Sequence, residues 1–169
     1  MIRIKRNPHF EDIEDYIKTN SDKFNYINEG IEGLVYYFKL NKRLVINTEI
    51  LQPGEYVLKT PHDKSFYYSV KNINILKLLS KYGLIPKIYY MNYYFAIMKY
   101  IEGETLWDYG PKTPPEFSLK LKKLIKKWHE LGFAHGDLKD TNIIVTENGK
   151  LYLIDPYFEN STDFKYDLD

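Results

Sequence analysis

The stretch His135-Gly136-Asp137-Leu138-Lys139-Asp140-Thr141-Asn142 decides the fold. It gathers a carboxylate, a cation and a carboxamide into one short loop. Downstream, the apolar runs 142–146 and 150–154 flank Asn148-Gly149. An Asn-Gly pair between two apolar runs is a strong hairpin signal. The hairpin predicts Asn142 at the start of one strand and Asp155 at the end of the other, where both side chains can converge on one cation.

Upstream of the loop, Thr113-Pro114-Pro115-Glu116 reads as a capping box, with threonine as N-cap and proline at the first helical position. Phe117, Leu121, Leu124, Trp128 and Leu131 then form an apolar stripe, and Gly132 ends the helix. Lys120, Lys122, Lys123, Lys126 and Lys127 read as its solvated side. Farther upstream, 88–101 has strand chemistry and is closed by Glu102-Gly103. A helix is expected over 65–82, with Phe66, Val70, Ile73, Leu76 and Leu79 on one face and Gly83 as a left-handed cap. Segments 34–40, 43–51 and 55–59 read as strands separated by turns at Asn41-Lys42 and Pro53-Gly54. Residues 10–18 read as a short helix carrying Phe10, Ile13 and Ile17. The expected class is α+β, divided into 1–101 and 102–169.

Composition narrows the function. The chain has 169 residues, 17% of them aromatic, which suits a globular fold with a real core. A formal charge of +1 gives no general argument for nucleic acid or an anionic membrane. With no cysteine, disulfides and thiolate metal sites are excluded. His9, His62, His129 and His135 lack zinc-ligand spacing. No apolar run reaches the ~20 residues of a spanning helix, and no signal-peptide pattern opens the chain, so a cytoplasmic location is expected.

The chemistry that needs Asp137, Asn142 and Asp155 together is phosphoryl transfer. It asks for oxygen ligands to magnesium, a carboxylate near the attacking hydroxyl, and positive charge on the phosphates. His135-x-Asp137-Leu138-Lys139-x-x-Asn142 is similar to the protein-kinase catalytic loop, and Asp155 stands across a hairpin where the kinase magnesium aspartate stands. Segment 97–104 resembles the kinase hinge, with Met98 as gatekeeper. Asn28-x-Gly30-x-x-Gly33-x-Val35 resembles the glycine-rich loop, with Asn28 replacing its first glycine, and Val57-Leu58-Lys59 resembles the phosphate-lysine strand. Taken singly each residue has a bland reading, such as a turn glycine or a strand-end lysine; the loop followed by Asp155 in that order is the specific signal.

The resemblance implies a protein-kinase-like two-lobed fold, with an antiparallel N-lobe sheet and a truncated, mainly helical C-lobe. It implies ATP and magnesium as cofactors. Asp137 would orient the substrate hydroxyl and accept its proton, Lys139 would neutralise the γ-phosphoryl group, and Asn142 and Asp155 would hold magnesium. Lys59 would hold the α- and β-phosphates beneath the Gly30 and Gly33 loop. Val35, Val57 and Ile144 would sandwich adenine beside Met98, with backbone groups of Lys99 and Ile101 on its edge. His135 would brace the loop.

Four departures shape the expectation. Gly136 replaces the arginine that pairs with an activation-loop phosphate, which makes the loop look like the atypical kinases: the KEOPS-associated and RIO types, and the aminoglycoside and sugar phosphotransferases. Asp155-Pro156-Tyr157 replaces Asp-Phe-Gly, and proline stiffens the turn, so Asp155 is expected not to flip. Helix 65–82 lacks the glutamate that pairs with the phosphate lysine; Asp63 and Glu55 are the nearest acids in sequence and neither is an obvious substitute. Few residues follow Asp155, so the apolar side of helix 114–131 is expected either to be partly uncovered or to be buried against the N-terminal segment, a protein partner or a second copy. The expected activity is that of a minimal atypical serine/threonine protein kinase. The alternatives are a small-molecule kinase acting on a metabolite hydroxyl and a non-catalytic nucleotide-binding module.

Overall fold

Ile13 and Ile17, one helical turn apart, are both fully buried at 0% exposure, and they show where the first core forms. They lie on α1 (Phe10–Asn20), whose outer face carries the Glu14–Lys18 pair. The structure, a computed structural model, describes residues 2–4, 8–30, 33–62, 68–110 and 113–157. The chain forms two compact units: Met1–Lys77 with Lys87–Tyr100, and Leu78–Pro86 with Ile101–Asp169. Leu78–Pro86 and Ile101 thus go with the second unit, where the sequence division at 101/102 puts them in the first. The class is α+β.

The first unit is built on a five-stranded antiparallel sheet. Its strands are β2 (Ser21–Gly30), β3 (Gly33–Leu40), β6 (Gly54–Pro61), β7 (Ile88–Met91) and β8 (Ala96–Lys99), in the order β2-β3-β6-β8-β7. A smaller sheet adds β1 (Ile2–Ile4), parallel to β4 (Leu44–Ile46), which pairs with β5 (Glu49–Leu51). Register partners share a face of a sheet. Phe38 pairs with Tyr56, Tyr36 with Leu58, and Leu58 with Ile97, and this face joins Ile13 and Ile17 in one apolar cluster. The N-terminal segment is therefore part of the core of its own unit. Ile17→Ala is expected to cost about 2–5 kcal/mol in urea unfolding. A loss under about 1 kcal/mol would show that α1 is an appendage.

Two turns break segments that read as continuous strands. Residues 43–51 split at Asn47-Thr48, because Asn47 adopts φ 56, a left-handed conformation that asparagine tolerates. Residues 88–101 split at Asn92, whose Oδ1 accepts from the amides of Tyr94 and Phe95 at 2.9 and 3.0 Å. Its Nδ2 donates to the Pro8 carbonyl at 2.9 Å, which ties the chain entering α1 to the sheet.

Helix α2 (Val70–Lys81) is shorter than the expected 65–82; Phe66 and Asp63 lie outside the described residues. Ser69 Oγ accepts from the Asn72 amide at 3.1 Å, in the manner of an N-cap. At the other end Gly83 has φ 69, as expected of a left-handed cap.

The second unit holds a short sheet in the order β11-β10-β9: β9 (Glu104–Thr105), β10 (Ile143–Val145) and β11 (Leu151–Leu153). Its helices are α3 (Leu106–Tyr109) and α4 (Glu116–Glu130). The expected Thr113 capping box is absent. Instead Thr113 closes a turn onto the Gly110 carbonyl, through its amide at 3.0 Å and its hydroxyl at 2.6 Å, and α4 begins at Glu116. The helix buries Phe117, Ile125 and Trp128, with Leu121 and Leu124 half-buried. Among the described residues no helix is long and apolar enough to cross a membrane.

Candidate active site

The loop between α4 and β10 is fixed at both ends before any polar group is placed. At the helix end the Trp128 carbonyl accepts from the amides of Leu131 and Phe133, both at 3.1 Å. Ala134 and His135 then run through the interior at 0% exposure. His135 Nε2 lies 2.9 Å from the Ile154 carbonyl; a carbonyl only accepts, so Nε2 carries the hydrogen. His135 is thus a buried brace between the loop and the end of β11. At the strand end a single 3-10 turn, Asp140–Asn142, is closed by the Asn142 amide on the Lys139 carbonyl at 2.8 Å.

These fixed points bring Asp137, Lys139 and Asn142 together. Asp137 Oδ2 accepts from Asn142 Nδ2 and from Lys139 Nζ, each at 2.8 Å. Asn142 Nδ2 also donates to the Asp137 backbone carbonyl at 2.9 Å. Asn142 is buried at 6% exposure, whereas the Asp137 and Lys139 side chains are 43% and 56% exposed. A buried carboxamide therefore sets the direction of a carboxylate whose other oxygen, Oδ1, has no hydrogen bond among the described residues.

Asp155 is positioned through the β10–β11 hairpin, paired Ile143 with Leu153, Ile144 with Tyr152 and Val145 with Leu151. The hairpin loop is wider than the two-residue turn the Asn-Gly pair suggests. Thr146 donates to the Lys150 carbonyl at 3.0 Å, and Gly149 takes the left-handed position of a three-residue loop, at φ 70. The Ile154 amide donates to the Asn142 carbonyl at 2.9 Å, which holds the residue before Asp155 against the loop. Asp155 itself is exposed and has φ 54.

Asn142 turns its amide nitrogen to Asp137, so its carbonyl oxygen is the atom left to serve as a ligand. Together with the Asp155 carboxylate this is a hard-oxygen donor set, and it suits magnesium, which takes one or two protein oxygens and completes its shell with phosphates and water.

The remaining candidates sit as follows. Val35 pairs with Lys59 and Val57 with Met98, so these four residues share the sheet face opposite the core, each half-buried. Gly33 has a structural reason to be glycine, because a Cβ there would overlap the Thr60 carbonyl on β6. Gly30 and Gly33 are register partners at the base of the β2–β3 hairpin, whose tip lies outside the described residues. Lys99 donates its amide to the Lys87 carbonyl at 2.8 Å. Glu55 accepts from the Tyr37 hydroxyl at 2.7 Å and lies 3.8 Å from Lys39. Ile101 is buried, and Ile144 is half-buried on β10. Lys120, read as solvated, donates to the Gly149 carbonyl at 3.0 Å and ties α4 to the hairpin.

Two features escaped sequence reading. Thr105 caps α3, accepting from the Asp108 amide at 3.1 Å and donating to its carboxylate at 2.6 Å; the Thr-x-x-Asp spacing was the available signal. The other is Tyr157, whose amide donates to the His135 carbonyl at 2.8 Å. No local pattern announces that contact.

A family model described as the RIO domain matches residues 55–158 of this sequence. The chain belongs to the RIO domain family. Like other members of the protein-kinase-like superfamily, this RIO domain protein has relatives named as kinases. It is 30% identical over 146 residues to the KEOPS complex subunit Bud32 of Pyrococcus abyssi, an alignment covering 76% of this chain and 64% of that protein. It is 30% identical over 119 residues to the probable serine/threonine-protein kinase FMP48 of Saccharomyces cerevisiae, covering 57% of this chain and 32% of that one. A probable bifunctional tRNA threonylcarbamoyladenosine biosynthesis protein of Methanosarcina barkeri matches over 145 residues at 26% identity, covering 83% of this chain and 24% of that protein. The RIO domain chain thus spans less than two thirds of the length of each of these relatives.

Proposed function

We propose that the chain transfers the γ-phosphoryl group of ATP to a serine or threonine hydroxyl of a protein, in the cytoplasm, as a minimal atypical kinase. The observation that carries this reading is the Asp137–Lys139–Asn142 cluster, in which one carboxylate is oriented by a buried amide and flanked by a cation. Asp137 Oδ1 orients the acceptor hydroxyl and takes its proton. Lys139 Nζ offsets charge on the transferring group. The Asn142 carbonyl oxygen and the Asp155 carboxylate are the protein's ligands for magnesium; the bound ion neutralises phosphate oxygens. Lys59 serves the α- and β-phosphates, with Gly30 and Gly33 in the strand pair that covers them. Val35, Val57, Met98 and Ile144 contact adenine. Because the Lys99 amide is already bonded to Lys87, the edge of adenine is met by the Lys99 carbonyl and the Ile101 amide.

The test is magnesium-dependent transfer of label from γ-labelled ATP to a protein acceptor, run with a thermal-shift titration. ATP with magnesium at about 100 times its dissociation constant should add about 2.7 kcal/mol of stability. Absence of both a shift and labelling would defeat the reading.

The similarity to a KEOPS complex subunit favours a second reading, in which ATP chemistry serves a protein assembly. A thermal shift with ATP and magnesium, without label on any protein or metabolite hydroxyl until a partner protein is added, would select it.

A further inference from the structure

The contact between Gly136 and Tyr157 is unused by the roles assigned above. Gly136 has φ 78, a conformation that strains any residue bearing a Cβ. A Cβ at this position would overlap the Tyr157 carbonyl oxygen. The next atoms of Tyr157 are also close, with its carbonyl carbon at 3.2 Å and its Cβ at 3.7 Å. One residue earlier, the His135 carbonyl accepts from the Tyr157 amide at 2.8 Å. Tyr157 is thereby laid along the catalytic loop by its backbone.

The residue on the other side of Asp155 is held as firmly. Ile154 donates its amide to the Asn142 carbonyl at 2.9 Å, and its own carbonyl accepts from His135 Nε2 at 2.9 Å. Between these pins lie only Asp155 and Pro156. Asp155 has φ 54, one of two non-glycine residues with positive φ among the described residues. Aspartate tolerates this conformation, as asparagine does at position 47, and the bonded residues on either side keep it there. Pro156 has a fixed φ and no amide hydrogen, so it offers no donor through which the segment could rearrange.

We propose that Gly136 is a positioning residue that fixes the Asp155 carboxylate for magnesium by admitting the Tyr157 backbone against the catalytic loop. The absence of a side chain at position 136 is then a requirement of metal-ligand geometry. The proposal rests on the reading of Asp155 as a magnesium ligand.

Gly136→Ala tests the proposal, with Gly132→Ala as its control. Gly132 has φ 82, so alanine there meets the same backbone strain, yet no atom beyond its chain neighbours lies within 4 Å of its would-be Cβ. Two measurements are made on each protein. Amide hydrogen exchange at Tyr157 is followed in nucleotide-free protein, and the magnesium dependence of ATP binding is measured by calorimetry, which needs no turnover. In Gly136→Ala, exchange at Tyr157 should accelerate at least about tenfold, and the magnesium concentration for half-maximal binding should rise about 10–100-fold, the usual effect of removing support from a metal ligand. Gly132→Ala should change neither. Unchanged exchange at Tyr157 overturns the proposal. So does faster exchange with an unchanged magnesium requirement, since Gly136 would then be structural only. An equal rise in Gly132→Ala overturns it as well. A wild-type chain that binds no ATP with magnesium defeats the phosphotransfer reading and this proposal together; one that binds it, with Gly136→Ala indistinguishable, defeats this proposal alone.

Discussion

Asp137→Asn is expected to lower the rate of phosphoryl transfer by about 10²–10⁴, the range associated with a positioned base. The substitution keeps the size of the side chain and an oxygen able to accept from Asn142 Nδ2, so the loop should keep its shape. What it removes is the basic oxygen and the charge beside Lys139. The Asp137–Lys139 contact at 2.8 Å joins side chains that are 43% and 56% exposed, and exposed pairs contribute only about 0–1 kcal/mol. Melting should therefore shift little while turnover collapses. The loss should fall on kcat with KM for ATP nearly constant, as for an interaction made with the acceptor in the transition state. Equal labelling by wild type and variant would remove Asp137 from the mechanism and leave the cluster as a structural turn.

The parts of this site that are legible in the sequence are those whose partners lie close along the chain. Asp137, Lys139 and Asn142 fall within one loop, and the hairpin carries Asp155 back by pairing two short apolar runs. Periodicity likewise marks Phe117 and Trp128 on α4 and Ile13 and Ile17 on α1. The misread places are those where two local signals compete. Thr113 has the right spacing for a helix cap, yet its hydroxyl and amide both bond to the Gly110 carbonyl, so the helix begins later. Asn47 and Asn92 sit inside apolar runs that look like continuous strands, and asparagine's tolerance of turn conformations breaks both. Ile125 escaped the stripe drawn through Phe117, Leu121, Leu124 and Trp128, although it is more deeply buried than either leucine between them.

Position 136 is a different case. In the sequence it reads as a lost arginine, a statement about regulation. In the structure it is the place where Tyr157 crosses the loop, a statement about backbone packing. The contact joins residues on opposite sides of a hairpin, and a single sequence carries no periodic trace of it. Gly33 behaves in the same way, since its reason lies in the Thr60 carbonyl on β6. Glycines that admit another chain segment are thus visible only when that segment is in place.

Beneath the loop, Trp128→Ala should be the most destabilising single truncation in the second unit. Trp128 is fully buried and heads the largest buried side chains of the molecule. Its ring lies 5.1 Å from that of His135, and its backbone carbonyl ends α4 by accepting two amides. Truncation to alanine leaves a cavity under the brace that holds the Ile154 carbonyl, at a cost of about 3–5 kcal/mol. Against a typical total of about 5–15 kcal/mol, that is enough to loosen the unit at physiological temperature. Trp128→Phe separates volume from hydrogen bonding. Trp128 Nε1 is buried with no hydrogen-bond partner among the described residues, so phenylalanine removes an unsatisfied donor along with part of the ring. Relief of a buried unpaired N–H is worth about 1–3 kcal/mol and opposes the lost packing, so the net cost should stay below about 1 kcal/mol. Urea unfolding of the two variants measures the difference. If phenylalanine costs as much as alanine, the indole N–H makes a bond that matters, and His135 is the first place to look for its acceptor. If alanine costs under about 1 kcal/mol, the loop is held by its backbone bonds alone, and Asp137 keeps its orientation without a packed floor.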